Sequence, residues 1–212
     1  MNSGTVMSAI VIMITLIHLY FVGTDKKKYM NITKPLIIPS VLLYYSFSAS
    51  NISFIVITAL LFSLLGDTAL MLKNRYFVPG MICFAFTHIL YTISFSLTAA
   101  GGEFKPWSLV FLLPYGVGCR LLYTKIIKRS GPLKVHLTLY MVIIVAMSYM
   151  SLYRACSCVG TGSWITFTGS LLFIASDAAL ALGFVISLQK NNGVFVMATY
   201  SAAQFLIVSG ML

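Results

Sequence analysis

Acidic side chains are scarce in this chain, which has only four Asp and Glu residues among its 212. All charged residues together make up 8% of the sequence, whereas about 25% is usual for a soluble domain. Hydrophobic residues reach 59% and the mean hydropathy is +0.97. Apolar runs of about 18 or more residues recur along the whole length, and each is long enough to cross a bilayer. The sequence therefore predicts an all-α, polytopic membrane protein with a single transmembrane domain over residues 1–212.

Signatures of several common chemistries are also missing. The chain has four cysteines, Cys83, Cys119, Cys156 and Cys158, without a second Cys or His pair at zinc-ligand spacing. The three histidines, His18, His88 and His136, fall on different predicted helices. There is no Gly-x-Ser-x-Gly elbow for a serine nucleophile. We therefore expect no metal and no other cofactor, and a zinc hydrolase site stays open as a weaker alternative.

The formal net charge of +10 does not indicate a nucleic-acid partner, because the cations concentrate in a few short loops. The odd-numbered loops hold Lys26, Lys27, Lys28, Lys34, Lys73, Arg75, Lys125, Lys128, Arg129, Lys134 and Lys190. The positive-inside rule predicts that these loops are cytoplasmic and that both termini are outside. Short loops and termini favour a bacterial cytoplasmic membrane over a eukaryotic endoplasmic reticulum. The oligomeric state stays open.

Eight hydrophobic segments predict about eight transmembrane helices. Their approximate bounds are 4–22, 36–49, 53–72, 77–98, 107–123, 135–153, 163–187 and 194–211. Pro35 and Pro39 are expected to open the second helix, since proline is tolerated in a first turn. Pro114 lies inside the fifth segment, where we expect a kink.

Two of the four acids, Asp67 and Asp177, lie inside predicted membrane helices. A charge at the centre of a bilayer costs roughly 2.5–3.5 kcal/mol on insertion scales, so such residues usually face the interior of a bundle. Aligning Asp67 with Asp177 also aligns Leu61 with Leu171, Gly66 with Ser176, Ala69 with Ala179, Leu70 with Leu180 and Leu72 with Leu182. The two aspartates fall on the third and seventh helices, which favours a tandem four-helix repeat.

Other polar side chains share helix faces with the two aspartates or lie on neighbouring helices. They are Lys34, Ser63, His88, Tyr91, Tyr140, Tyr200 and Gln204. Because unpartnered polar groups are costly in lipid, we expect them to converge on one interior cavity. Each also has an ordinary structural interpretation, as a helix-to-helix hydrogen bond, an interfacial anchor or a positive-inside lysine.

Paired carboxyl groups in one cavity favour catalysis. Charge repulsion leaves one protonated and one ionised near neutral pH, which provides a general acid and a general base. That pair suits a hydrolysis through an oxocarbenium-like cation. The alternative is a small proton-coupled transporter or a lipid-binding membrane protein, because paired intramembrane acids and repeats also occur in carriers.

Several short motifs match one family in order along the chain. They are Lys34-Pro35-Leu36, residues 62–67 with Leu70-Met71, residues 80–95 around His88 and Tyr91, Pro132 with Tyr140-Met141, residues 172–181 around Asp177, and residues 199–207 around Tyr200 and Gln204. On these motifs the chain resembles the lysoplasmalogenases, the YhhN-like membrane proteins. The resemblance implies an eight-helix membrane hydrolase that cleaves the vinyl-ether bond of lysoplasmalogens. The products would be a fatty aldehyde and a glycerophospho-ethanolamine or -choline.

With that chemistry, Asp67 and Asp177 are the candidate catalytic residues. One would donate a proton, and the other would activate water and stabilise the cation. The candidate substrate-binding residues are Lys34 for the phosphate, and Ser63, His88, Tyr91, Tyr140, Tyr200 and Gln204 within the site. The expected partners are a lysophospholipid substrate and membrane lipid.

Overall fold

The computed structural model describes residues 3–72, 76–99, 106–158, 160–186 and 189–212. Eight α-helices run through these ranges: α1 (Ser3–Gly23), α2 (Lys27–Ser48), α3 (Phe54–Leu72), α4 (Phe77–Ala99), α5 (Leu112–Lys125), α6 (Lys134–Ser157), α7 (Thr161–Ile186) and α8 (Gln189–Ser209). Short 3-10 segments flank α5 at Pro106–Phe111, Ile127–Arg129 and Gly131–Leu133. The described residues contain no β-strand. The prediction of an all-α bundle of eight helices is confirmed.

Seven helical segments of the described chain are long and apolar enough to cross a membrane. The helix outside this set, α2, carries lysines, two prolines and several hydroxyl side chains, which lower its hydropathy. Large apolar side chains cover the outer surface of the bundle, among them Ile12, Leu43, Leu65, Ile89 and Leu113. Such a surface is suited to lipid rather than water. The protein is therefore an integral, multi-pass membrane protein.

The start of α2 differs from the sequence prediction. The helix begins at Lys27, so Pro35 and Pro39 lie inside it and do not open it. Each proline lacks only its own N–H and has a φ that fits a helix. Burial of Ile37, Ile38 and other side chains on the same face outweighs these two lost hydrogen bonds. As a result Lys34 is held on a helix, facing the bundle.

The fifth segment also differs from its prediction. A 3-10 segment ends at Phe111 and α5 begins at Leu112, so Pro114 lies in the first helical turn. Proline is tolerated there because the first N–H groups of an α-helix have no partner within the helix, and the kink stays a prediction. No residue of α5 is buried, and the helix packs mainly against α6 and the 3-10 segments. The fifth helix is therefore peripheral to the bundle.

The contacts between helices repeat with an offset of four. The pairs α1–α2, α2–α3 and α3–α4 correspond to α5–α6, α6–α7 and α7–α8, and the pair α2–α8 corresponds to α6–α4. This arrangement agrees with the tandem four-helix repeat that the aspartate alignment favours. The repeat is imperfect, since α1 also packs against α8 whereas α5 lies to one side.

Two glycines let the helices near the aspartates approach closely. A Cβ added at Gly169 on α7 would lie 2.9 Å from the backbone nitrogen of Ile207 and 3.0 Å from the carbonyl oxygen of Ala203 on α8. A Cβ at Gly66 would lie 2.7 Å from the ring of Phe84. At each glycine the added Cβ would be closer than a van der Waals contact permits, so glycine is required for this packing. The pairs α3–α4 and α7–α8 therefore pack closely.

The helix ends that flank the odd-numbered connections lie at one end of the bundle, which is called the basic end here. Within the described residues it carries Lys26, Lys125, Lys128 and Arg129. The even-numbered connections and both termini lie at the other end: Gly4 faces Ser48, and Gly162 faces Gly210. There Arg154 ties three helices together, because its guanidinium donates to Thr166 Oγ1 at 2.9 Å and to the carbonyl oxygen of Gly210 at 3.1 Å. The cytoplasmic orientation of the basic end stays a prediction.

Candidate active site

The first carboxylate, Asp67 on α3, is bound by residues from α8 and α2. The hydroxyl of Tyr200 donates to Asp67 Oδ2 at 2.6 Å, and Lys34 Nζ lies 3.6 Å from Oδ1. The Asp67 side chain is only 3% exposed and that of Lys34 is 19% exposed. Asp67, Lys34 and Tyr200 are called the Asp67 half-site. It is a nearly inaccessible ion pair with one neutral hydrogen-bond donor.

The second carboxylate, Asp177 on α7, is bound by residues from α4 and α6. The hydroxyl of Tyr140 donates to Asp177 Oδ2. His88 Nε2 lies 2.9 Å from the Tyr140 oxygen and 3.5 Å from Asp177 Oδ2. Asp177 is 13% exposed, so it is more accessible than Asp67. Asp177, His88 and Tyr140 are called the Asp177 half-site, in which every partner can donate or accept a proton.

The two half-sites correspond to each other through the repeat. Asp67 on α3 is bound from α2 and α8, and Asp177 on α7 is bound from α6 and α4. Adding four to each helix number, and counting on from α8 to α1, converts one set of helices into the other. The helices agree, but the side chains do not. Lys34 on α2 corresponds to Tyr140 on α6, and Tyr200 on α8 corresponds to His88 on α4. The same backbone framework therefore holds two carboxylates in different chemical surroundings.

Aromatic rings connect the two half-sites. Phe84 and Phe173 each make an edge contact with the Tyr200 ring, at centroid distances of 5.8 and 5.5 Å. Phe173 also contacts the His88 ring at 4.6 Å. The half-sites are therefore neighbours across a packed aromatic layer.

Three of the residues singled out from the sequence form a separate buried network. Tyr91 donates to Gln204 Oε1 at 2.9 Å, and Gln204 Nε2 donates to Ser63 Oγ at 2.8 Å. Ser63 in turn donates to Thr87 Oγ1 at 3.2 Å. Sequence reasoning missed Thr87, because one hydroxyl residue among many in apolar helices carries no distinguishing signal. This network joins α3, α4 and α8 one turn away from Asp67.

A cavity of about 260 Å³ lies at the basic end, beside Lys34. Its wall includes Leu70, Phe77 and Leu180, which also line a smaller cavity of about 30 Å³. Asp177 and Tyr140 line that smaller cavity. The shared wall places the two cavities side by side, and this row of neighbouring cavities from Lys34 to the Asp177 half-site is called the path here.

One polar residue in the wall of the larger cavity, Asn192, was also missed. The sequence placed the start of the eighth helix at 194, whereas α8 begins at Gln189. The five additional helical residues include Asn192, which lines the cavity. Helix boundaries are the least certain part of such a prediction, and here the boundary decided whether the residue was considered.

The histidines do not combine into a metal site. His18 lies on α1, where its Nδ1 contacts Thr33 Oγ1 at 2.7 Å, and His88 and His136 lie on α4 and α6. Within the part of the chain that the structure describes, no three His, Cys, Asp or Glu side chains are grouped as metal ligands would be. The polar groups that do assemble are suited to holding and transferring protons.

The family of the chain follows from comparison with known proteins. A model of the YhhN family matches residues 29–211. The chain belongs to the YhhN family. The matched range contains every residue of both half-sites, and α1 lies outside it. The family resemblance read from the motifs is confirmed.

Individual members of the YhhN family are similar to the chain over most of its length. Lysoplasmalogenase TMEM86A of Bos taurus is 30% identical over 72% of this chain and 62% of its own length. Lysoplasmalogenase TMEM86B of Sus scrofa is 31% identical over 70% of this chain and 59% of its own length. The uncharacterized membrane protein YhhN of Escherichia coli O157:H7 is 26% identical, over 76% and 75%. The chain thus spans less than two thirds of the mammalian relatives that it matches. No solved structure matches the chain.

Proposed function

We propose that the chain is a membrane hydrolase that cleaves the vinyl-ether bond of lysoplasmalogens by acid and base catalysis. The observation that carries this proposal is the Asp177 half-site, a carboxyl group with Tyr140 and His88 that lines a cavity next to the one beside Lys34. Two mammalian relatives bear the name lysoplasmalogenase. The products of the reaction are a fatty aldehyde and a glycerophospho-ethanolamine or -choline.

In the first step, Asp177 donates a proton to the vinyl carbon farther from the ether oxygen. The electron pair of the double bond forms the new C–H bond, and the positive charge is shared by the adjacent carbon and the ether oxygen. Both polar contacts of the carboxyl group are at Oδ2, so Oδ1 is the oxygen that carries the proton. The Tyr140 hydroxyl donates to the carboxylate that remains and stabilises its charge.

In the second step, water adds to the oxocarbenium carbon and passes a proton to the Asp177 carboxylate. The product is a hemiacetal, and Asp177 is again protonated. The hemiacetal then breaks its bond to the glycerol oxygen as its hydroxyl proton moves to that oxygen. The aldehyde and the alcohol leave, and the atoms and charges balance over the cycle.

Asp67 stabilises the cation in this proposal and does not activate the water. We assign the ionised form of the pair to Asp67, supported by its contact with Lys34, and its negative charge stabilises the oxocarbenium ion nearby. The ammonium group of Lys34 has three donors. One faces Asp67, and the others are available for the phosphate in the cavity at the basic end. Asp67 thereby also positions the group that binds the substrate.

The test is aldehyde release by purified protein in detergent. The panel contains lysoplasmalogens with each head group, and lysolipids whose chain is joined by an ester or a saturated ether. We expect aldehyde from the vinyl ethers alone. Asp177→Asn should lower kcat by about 10²–10⁴-fold, the usual contribution of a general acid, and Asp67→Asn should lower it less.

The matched control is Asp25→Asn, which removes a carboxylate of the exposed turn after α1 and should leave kcat unchanged. Elution as a single species and an unchanged unfolding temperature show that each variant is folded. Absence of aldehyde from the unaltered protein, or full activity of Asp177→Asn, contradicts the proposal. If Asp67→Asn is as inactive as Asp177→Asn, Asp67 itself activates the water.

A proton-coupled carrier is the second candidate, favoured by one observation. Each half of the repeat places one carboxylate inside the membrane, which is an arrangement that carriers use. The same purified protein separates the two functions. Product formed in detergent without a sealed membrane means an enzyme, whereas flux in vesicles that depends on a proton gradient and forms no product means a carrier.

A further inference from the structure

We propose that the groove beneath α5 binds the hydrocarbon chain of the lysolipid substrate, which enters it sideways from the membrane. The inference rests on the proposed function and adds to it a binding site for the chain. It assigns α5, the peripheral helix, a role in substrate recognition rather than in the core of the fold.

The groove starts at the Asp177 half-site. A cavity of about 50 Å³ between α6 and α7 is lined by Asp177 and Tyr140 and otherwise by apolar side chains. It shares Leu122, Val145 and Ile174 with a larger cavity of about 320 Å³ beneath α5. The shared residues place the two cavities side by side, and together they are called the groove, which extends from the proposed proton donor along α5 to Phe111.

The groove is open because α5 packs loosely. No α5 residue is buried, and a Cβ added at Gly118 in the groove wall would meet nothing within 4 Å. In a bilayer such an apolar space borders lipid chains and not water. A hydrocarbon chain is therefore the occupant that fits its lining.

The order of the sites along the path matches the order of groups in one substrate molecule. Lys34 lies at the basic end, Asp177 lies further along the path, and the groove beneath α5 continues from Asp177. A lysoplasmalogen has its phosphate head group at one end, then the vinyl ether, then a single chain. A chain in the groove would therefore place its first carbons beside Asp177. One groove also suits a lipid with one chain.

A rival groove lies between α4 and α6. It has a volume of about 240 Å³ and is lined by Ala85, Ile89, His136 and Tyr140, among others. This groove reaches Tyr140, but Asp177 is not part of its wall. A chain bound there would not bring its vinyl ether against the carboxyl group, so the groove beneath α5 is the better candidate.

The experiment compares two glycines of α5. Gly118 lines the groove, whereas Gly116 is exposed on the helix surface, and a Cβ added at either one meets nothing within 4 Å. Gly118→Leu should therefore fill the groove, and Gly116→Leu should leave it open, with similar consequences for the helix. The measurement is kcat/KM for a long-chain and a short-chain lysoplasmalogen.

We expect Gly118→Leu to shift the preference toward the short chain by about tenfold or more, the range for mismatched apolar groups in a pocket. Gly116→Leu should keep the original preference. Ala85→Leu fills the rival groove and should also keep it. Equal effects of Gly118→Leu and Gly116→Leu, or a shift with Ala85→Leu alone, overturn the inference.

A second measurement does not depend on turnover. A lysophospholipid with a diazirine at the end of its chain is crosslinked to the protein, and the labelled peptides are identified by mass spectrometry. Label on residues 111–122 and 167–174 that Gly118→Leu reduces supports the groove, and label on residues 81–89 overturns it. If no lysolipid releases aldehyde, the proposed function fails, and this labelling still decides the inference.

Discussion

The Asp67 and Asp177 half-sites occupy equivalent places in a repeated framework but differ in chemistry. A lysine cation contacts Asp67, which is 3% exposed, whereas a tyrosine and a histidine contact Asp177, which is 13% exposed. A buried carboxylate needs a compensating charge, and an acid needs access to its substrate. The difference supports the proposal that one half-site stabilises charge and the other transfers protons.

The residues one turn before each aspartate also differ in chemistry: one is polar and the other is aromatic. Ser63 precedes Asp67 by four residues and hydrogen-bonds with Gln204 and Thr87. Phe173 precedes Asp177 by four residues and packs against the rings of His88 and Tyr200. Hydrogen bonds therefore hold the helix beside Asp67 in place, while aromatic side chains pack against the His88 side of Asp177. A duplication could supply two similar carboxylates, and these neighbours make them unequal.

The largest expected effect on stability comes from unpairing Asp67. Lys34→Met leaves a buried carboxylate with Tyr200 as its remaining partner, and breaking a buried ion pair costs about 3 kcal/mol or more. We expect a clearly lower unfolding temperature in detergent. The matched control is Lys28→Met, an exposed lysine of the same helix, which should unfold like the unaltered protein.

The double variant Lys34→Met with Asp67→Asn sharpens this test. Removing both charges leaves no unpaired carboxylate, so most of the lost stability should return, although kcat should stay low. If the double variant is no more stable than Lys34→Met, the ion pair is not what holds this half-site together. The contrast with the Asp177 half-site would then rest on accessibility alone.

The tyrosines provide the second comparison. Tyr140→Phe removes the donor to Asp177, and hydrogen bonds to charged groups are worth about 1.5–3 kcal/mol, so kcat should fall about tenfold or more. Tyr200→Phe removes the donor to Asp67, and it should affect the unfolding temperature more than kcat. Kinetics and thermal unfolding of the same two preparations give both readouts. Equal losses of kcat would mean that both carboxylates take part in proton transfer.

Much of the fold could be predicted from the sequence because hydrophobicity and length alone determine membrane helices. Both aspartates were identifiable for a related reason: charge is rare and costly in lipid. Their partners on other helices, such as Tyr140 for Asp177 and Lys34 for Asp67, depend on helix rotation and crossing, which one sequence does not specify. The start of α2 was misjudged because Pro35 and Pro39 resemble a helix opening until the packing of that helix is known.

The grouping of the polar residues was equally hard to predict. Their shared hydrophobic surroundings suggested one cavity, but Ser63, Tyr91 and Gln204 bond to one another and not to either carboxylate. Spacing along a helix shows which side chains share a face, but it does not show which facing helix they meet. The loose packing of α5 was not predicted either, because a segment long and apolar enough to cross a membrane does not show how closely its neighbours pack against it.

The smallest expected effect concerns this buried network, which lies one turn from Asp67. A double-mutant cycle of Tyr91→Phe and Gln204→Leu isolates the coupling between the two side chains, which are joined by a 2.9 Å hydrogen bond. Hydrogen bonds between membrane helices average about 0.6 kcal/mol in such cycles, so we expect a coupling of about that size in unfolding free energy. The catalytic constants should change little, because neither side chain contacts Asp67 or Asp177 in the described structure. A large loss of kcat in Gln204→Leu with unchanged stability would mean that this network takes part in the reaction. The proposed division of roles between the two half-sites would then be wrong.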